Sequence, residues 1–163
     1  MNELSIRNRQ RARRIHTRLL RRIVEALLDS LPGVRGYELG IRLVGASEMA
    51  RINWGFLNHE GSTDVITFDH SERAAVVGDD TIRLHGEIYV CVDDAVKQAR
   101  EFKTAWQSEV VRYVVHGVLH LLGHDDMKAA ARRKMKREEN RLLGRLERRF
   151  RLSQLAVGKL AAH

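Results

Sequence analysis

Residues 104–126 read TAWQSEVVRYVVHGVLHLLGHDD, and the rest of the chain is best read outward from them. From Thr104 to Leu122, Trp106, Val110, Tyr113, Val114, Gly117, Val118 and Leu121 recur at a period near 3.6. So nearly all-round an apolar pattern predicts a helix buried in the core. Gly123 ends it, because glycine readily takes the left-handed conformation of a helix C-cap. The turn His124-Asp125-Asp126 follows, and the helix carries His116 and His120 into it.

The flanking segments supply layers for that helix to pack against. Arg11 to Leu31 spaces Ile15, Leu19, Leu20, Ile23, Val24, Leu27 and Leu28 on one stripe with arginines between them, and Leu31-Pro32-Gly33 breaks it. Tyr37 to Val44 alternates like a strand. Ser47-Glu48 opens a helix to Leu57, with Met49, Ile52 and Phe56 inward. Val65 to Phe68 and Gly86 to Val92 read as two more strands, separated by a loop at 69–82 that contains Gly78-Asp79-Asp80. Asp93 suits an N-cap for a helix carrying Ala95, Val96 and Ala99. A basic helix runs from Lys128 to Phe150 with Met135, Leu142, Leu143 and Leu146 inward. The expected fold is α+β: a small mixed sheet covered by helices, with a buried central helix bearing the His-x3-His motif. Residues 1–150 form one domain in this reading, and 151–163 a flexible tail.

Composition bounds the function. A chain of 163 residues, 44% hydrophobic and 31% charged, fits one soluble globular domain. No apolar run approaches the roughly 20 residues of a bilayer span. The Arg-rich start lacks a secretory h-region, and its apolar stripe fits a docked helix better than a transit peptide. The single cysteine, Cys91, suits a buried strand position and a reducing, cytoplasmic setting. The net charge of +8 is uneven. Residues 1–25 hold 8 Arg against 2 Glu, and residues 128–163 hold 12 basic against 3 acidic groups, while 26–127 hold 9 basic against 16 acidic. Two basic ends suggest a polyanion footprint, nucleic acid before membrane surface; solvated helix faces are the plain alternative.

His116 and His120, four apart on a helix, share a face with Cβ atoms roughly 5–6 Å apart. Two imidazoles so placed bind one metal without distorting the helix. Leaving both unpaired in a core would cost roughly 1–3 kcal/mol each. Asp126 or His124, both in the turn after Gly123, supplies a third ligand. Three protein ligands leave zinc an open fourth position for water, the catalytic pattern. The spacing matches the zinc-protease motif H-E-x-x-H-x-x-G-x-x-H, but Gly117 replaces the general-base Glu and Asp126 the third His. A metalloprotease therefore lacks its proton-transfer group. Two His and one carboxylate also fit a non-haem iron triad, with nothing else in the chain to support an oxygenase.

His116-Gly117-Val118-Leu119-His120-Leu121-Leu122-Gly123-His124-Asp125-Asp126 resembles the H-G-x-L-H-L-x-G-[YH]-D-H signature of the YbeY family of bacterial rRNA maturation factors. Thr63 to Phe68 is similar to its P-T-[DN]-V-L-S-F segment, and His85 to Cys91 to its L-G-[DE]-I-x-I-[CS] strand. Leu43-Val44 with Glu48, Ile52 and Asn53 fits its early strand–helix pattern, so the likeness spans roughly residues 15–148. It implies a zinc-dependent, single-strand-specific endoribonuclease acting in rRNA maturation and ribosome quality control. Its implied partners are single-stranded RNA, above all rRNA, and the ribosomal small subunit or its proteins. One Zn2+ would sit on His116, His120 and Asp126. Three positions depart: Asp126 stands for the third His, Ser62 for a proline, and a residue near Leu57 for an arginine associated with RNA processing. Asp for His lowers the site's charge by one unit and makes a weaker Lewis acid. These departures favour the rival reading, a non-catalytic ribosome-assembly factor with a structural metal.

Overall fold

The computed structural model describes residues 2–57, 63–71 and 81–157. It confirms the α+β class, with a four-stranded mixed sheet and five helices among the described residues. In chain order these are β1 (Asn2–Asn8), α1 (Thr17–Asp29), β2 (Val34–Val44), α2 (Ala46–Leu57), β3 (Val65–Asp69), β4 (Ile82–Cys91), α3 (Val92–Phe102), α4 (Trp106–Leu121) and α5 (Ala129–Arg149). A short 3-10 helix, Leu152–Leu155, follows.

The strand order is β1-β2-β4-β3. β1 and β4 run parallel to β2, and β3 runs antiparallel to β4 with Thr67 opposite Ile88. β3 is therefore an edge, and it borders the same cleft as His116 and His120 of α4. The main core joins one sheet face (Leu39, Ile41, Leu43, Leu84, Ile88, Val90) to the buried sides of α1, α4 and α5. A small second cluster of Val44, Met49, Ile66 and Cys91 lies on the other face under α2. Cys91 is fully buried there, and burial pushes its thiol up to about 11, so it behaves as a small apolar residue rather than a nucleophile.

Several sequence expectations are corrected. β1 has no counterpart among them: its sequence NELSIRN buries only Leu4, so an edge strand with one buried side chain carries almost no hydrophobic period. α1 starts at Thr17 rather than near Arg11, because His16 caps it, its Nδ1 accepting from the Leu19 N–H at 3.1 Å. Asp93 is not the cap of α3; Cys91 holds that position. The Asp93 carboxylate instead accepts from the Ala46 N–H at 2.6 Å, satisfying an orphan donor at the start of α2. Phe56 does not face inward and is 72% exposed, while Met49 and Asn53 take the inner positions.

The segment after α5 is docked rather than loose as far as Val157. Leu152 and Leu155 are buried, Ala156 forms a bridge with Ile15, and the Leu155 carbonyl accepts from His16 N–H at 2.8 Å. Residues 158–163, Ser62 and the Gly78-Asp79-Asp80 stretch lie outside the described residues. Among the described residues no helix is long and apolar enough to cross a membrane.

Gly117 sets how closely α4 approaches the sheet. A Cβ there would lie 2.6 Å from Ile88 Cγ2 and 2.8 Å from its Cδ1. Ile88 is fully buried and β-branched, so it cannot swing aside. Overpacking of this kind costs about 1–3 kcal/mol, more than the up to about 1 kcal/mol that alanine gains over glycine in a helix. Gly117→Ala is expected to lower the denaturation midpoint, and an Ile88→Ala background to remove that penalty. Equal penalties in both backgrounds would mean the contact does not limit packing.

Candidate metal centre

The site is built from a helix end that terminates in one defined way. At the C-terminus of α4 the Gly123 N–H donates to the His120 carbonyl and the His124 N–H to the Leu119 carbonyl, each at 3.0 Å, with Gly123 at φ 100. These two bonds form a Schellman motif. Asp125 then accepts from the Met127 N–H at 2.8 Å, closing a local turn. The chain is thereby folded back over the helix, and Asp126 arrives beside the two histidines.

His116 and His120 approach Nε2 to Nε2 at 3.1 Å, with ring planes at 77°. Asp126 Oδ2 lies 3.8 Å from His116 Nε2 and 3.6 Å from His120 Nε2. His116, His120 and Asp126 could hold a metal: their ligand atoms all lie within 4.8 Å of one another. Two ligands bound tetrahedrally at roughly 2.0–2.1 Å sit about 3.3 Å apart, so the donor set is close to the size zinc needs. The His124 carbonyl, by contrast, accepts from His120 Nδ1 at 3.2 Å, which gives the turn a use for the His124 backbone rather than its ring.

The opposite ring nitrogens fix the tautomers. His116 Nδ1 donates to Glu139 Oε1 at 2.8 Å. Burial alone would raise the Glu139 carboxyl, but hydrogen bonds from His116, Arg112 and Lys136 outweigh it and hold the group at about 2. An ionised carboxylate and a carbonyl can only accept, so each Nδ1 carries a proton, and in a neutral ring the Nε2 atom then presents its lone pair. Burial, and next the neighbouring His116, push the His120 imidazole below its ordinary value and keep it neutral. Two lone pairs and a carboxylate oxygen converging without a donor among them make a place for a cation. A carboxylate behind a ligating imidazole orients the ring and raises its basicity.

The spacing argument brings together His116, His120 and Asp126 but misses Glu139 and Arg112. Arg112 Nη1 donates to Glu139 Oε2 at 2.7 Å, and Lys136 Nζ donates to the same oxygen at 3.0 Å. A signal for Glu139 is nevertheless present. Met135, Glu139, Leu142, Leu143 and Leu146 are the buried residues of α5, and an acidic residue filling a gap in an apolar stripe calls for a buried partner.

The three candidate ligands open on a cleft of about 510 Å³ that runs along edge strand β3 to Asn53 of α2. Behind His116 a second hollow of about 320 Å³ is lined by Arg112, Arg132, Lys136 and Glu139. No residue of α1 lines either space, so of the two basic ends only that of α5 borders the site. Gly117 faces Ile88 rather than the cleft, so position 117 offers no room for a general-base side chain.

Residues 5–147 match the protein family described as Endoribonuclease YbeY. A Salinibacter ruber protein named Endoribonuclease YbeY is 34% identical over 86% of this chain and 89% of its own length. One of the same name from Chlorobium phaeovibrioides is 36% identical over 72% of this chain and 74% of its own. A solution structure of a Thermotoga maritima protein, 23% identical, superimposes with a TM-score of 0.63 over 98% of this chain and 97% of that one, which supports the fold.

Proposed function

The chain belongs to the endoribonuclease YbeY family, and from that premise we propose that it is a zinc-dependent endoribonuclease that cuts single-stranded RNA in rRNA maturation and ribosome quality control. Family membership supports an endoribonuclease role, hence a hydrolase acting on RNA. The observation that carries the metal is the convergence of two lone-pair nitrogens at 3.1 Å beside the Asp126 carboxylate. His116, His120 and Asp126 would hold one ion, most suitably Zn2+ for two imidazoles and a carboxylate.

The chemistry a bound zinc ion supplies is Lewis acidity and the acidification of water. The chain's own residues do the rest. Glu139 keeps the His116 ring turned toward the cleft, and the His124 carbonyl does the same for His120. Arg132 on the rim of the adjoining hollow offers a cation to the RNA backbone, a contact that positions without reading sequence. The candidate ligands are part-exposed, with side chains 26–42% accessible on a cleft wall. Three donors among the described residues would leave a fourth position open toward the cleft, which favours a catalytic metal over the structural metal of a pure assembly factor, where protein ligands fill all four positions. A single buried cysteine suits a cytoplasmic setting.

Two expected results bear on this reading. Asp126→Ala should weaken zinc retention by about one to two orders of magnitude in a chelator competition, while His124→Ala should not. The reverse would move the third ligand to His124. Affinity for a short single-stranded RNA should fall steeply from low to moderate salt as phosphate contacts are released, and an unchanged affinity would remove the basic helix from the footprint. Purified protein incubated with matched single-stranded RNA, duplex RNA and an unfolded protein tests the activity itself: only the first should be cut.

A further inference from the structure

α2 buries Met49 but exposes two large aromatic side chains. It turns Asn53 inward at 7% exposure and presents Trp54 and Phe56 to water at 58% and 72%. Large exposed apolar side chains are few among the described residues: Trp54, Phe56, Phe102 and Met127. Met127 directly follows Asp126, and Asn53, beside Trp54, lines the metal cleft. Phe56 is not loose. Its ring meets Phe68 edge-on, with centroids 5.6 Å apart and planes at 72°. Phe68 in turn meets Tyr89 at 5.6 Å and 87°. Phe68 itself lines the cleft that holds His116, His120 and Asp126. The aromatic row thus runs from Tyr89 of β4 across edge strand β3 to the exposed ring of Phe56, and its middle member Phe68 borders the cleft.

The carboxylates Asp64, Asp69 and Asp126 line the cleft itself, so cations for a polyanion's backbone have to come from beside it. Arg51 is exposed on α2, and Arg132 and Lys136 border the hollow that adjoins the cleft at His116 and Asp126. Cations beside a groove and an exposed aromatic ring packed on its wall are the two parts of a single-strand binding site, one for phosphates and one for bases. A base in a duplex has both faces covered by its neighbours, whereas an unpaired base has a face to offer.

We propose that Phe56, backed by Phe68 and Tyr89, is a stacking platform for an unpaired base of the RNA whose backbone passes the cleft. The proposal rests on the endoribonuclease reading above and adds to it the group that selects single strands. The ring face takes the base by stacking, which tolerates any base identity. Preference for single strands then follows from geometry rather than from hydrogen bonds to base edges.

The test uses the full chain and a short single-stranded RNA, with a ribose-phosphate strand of the same length lacking all bases as comparison. Phe56→Ala and Phe56→Leu should each weaken binding of the intact RNA by about 5- to 100-fold, Phe56→Trp should restore it, and the base-free strand should bind all four proteins alike. Phe56→Leu keeps an apolar side chain without a π-face, so its failure identifies stacking rather than general greasiness. Phe56 is exposed, and unchanged circular dichroism confirms that the variants remain folded. Equal RNA affinity of wild type and Phe56→Ala overturns the proposal, as it would if the patch served a protein partner. So does an equal loss for the base-free strand. If wild type cuts RNA and Phe56→Ala matches it in binding and cleavage, only the platform falls. If wild type neither binds nor cuts single-stranded RNA, the endoribonuclease reading falls and takes the platform with it.

Discussion

Glu139→Gln is expected to lower zinc affinity about 10- to 100-fold, although Glu139 is not one of the candidate ligands. The reason is the donor count around it. His116 Nδ1, Arg112 Nη1 and Lys136 Nζ all donate to its two carboxylate oxygens at 2.7–3.0 Å. A glutamine keeps one accepting oxygen and turns an amide NH2 toward groups that are themselves donors. One of the three must lose its partner, and the negative charge that makes the His116 ring a better ligand disappears. Breaking a buried charged pair can cost about 3–5 kcal/mol. Here the stability loss should be smaller, because the Lys136 side chain is 59% exposed and can turn to water. Glu138→Gln is the matched control. Glu138 pairs with Arg141 on the outer face of the same helix, and its loss should leave zinc affinity unchanged. A Glu139→Gln protein that retains zinc as wild type does would show that the His116–Glu139 bond does not support the metal.

His120→Ala should have the larger effect. It removes a candidate ligand outright, so zinc retention and RNA cleavage should both fall by more than about 100-fold, beyond the loss expected for a supporting residue. Stability without metal should change little. His120 is only half-buried, and burial together with the neighbouring His116 already disfavours its charged form. The rise in melting temperature that zinc gives the wild type should vanish in the variant, because a ligand stabilises the fold only through the state that binds it. A variant that lost stability without metal while keeping the zinc-induced rise would point to a core histidine instead of a ligand.

The parts legible in the sequence are those in which one helix face carries the whole message. α4 can be read because its apolar period and its two histidines lie on the same element, and Gly123 fixes where the chain turns. The geometry then needs only the Schellman turn to bring Asp126 back. Glu139 leaves a trace as an acidic residue in an apolar stripe, but its partners are not legible, because His116 and Arg112 lie 23 and 27 residues away on another helix and only packing brings them together. β1 escapes for the opposite reason. A parallel edge strand held by backbone bonds to β2 needs few apolar residues, and NELSIRN supplies few. Phe56 shows that an aromatic residue near a helical stripe need not face the core. The tail after α5 escapes because Leu152 and Leu155 are too few to register as a pattern, yet both join the core that α1 and α4 share. Asp93 does cap a helix, but the helix is α2 rather than its own, a pairing that spans 47 residues and leaves no local trace.

The departures from the family signature take on different weights in three dimensions. Asp126 stands where it could complete a three-donor set, so the substitution would change the charge of that set and not its completeness. Gly117, which agrees with the family signature and departs only from the zinc-protease motif, is held by the sheet behind it, so packing leaves no room for a glutamate there. Leu57 closes α2, only one residue beyond the exposed Phe56.

The most direct test counts zinc and cleavage on the same preparation. Purified protein should hold about one zinc per chain, lose cleavage of single-stranded RNA on chelation, and regain it in proportion to added zinc up to one equivalent. Cleavage that persists in the chelated protein, or in His120→Ala, would contradict a metal centre at His116, His120 and Asp126.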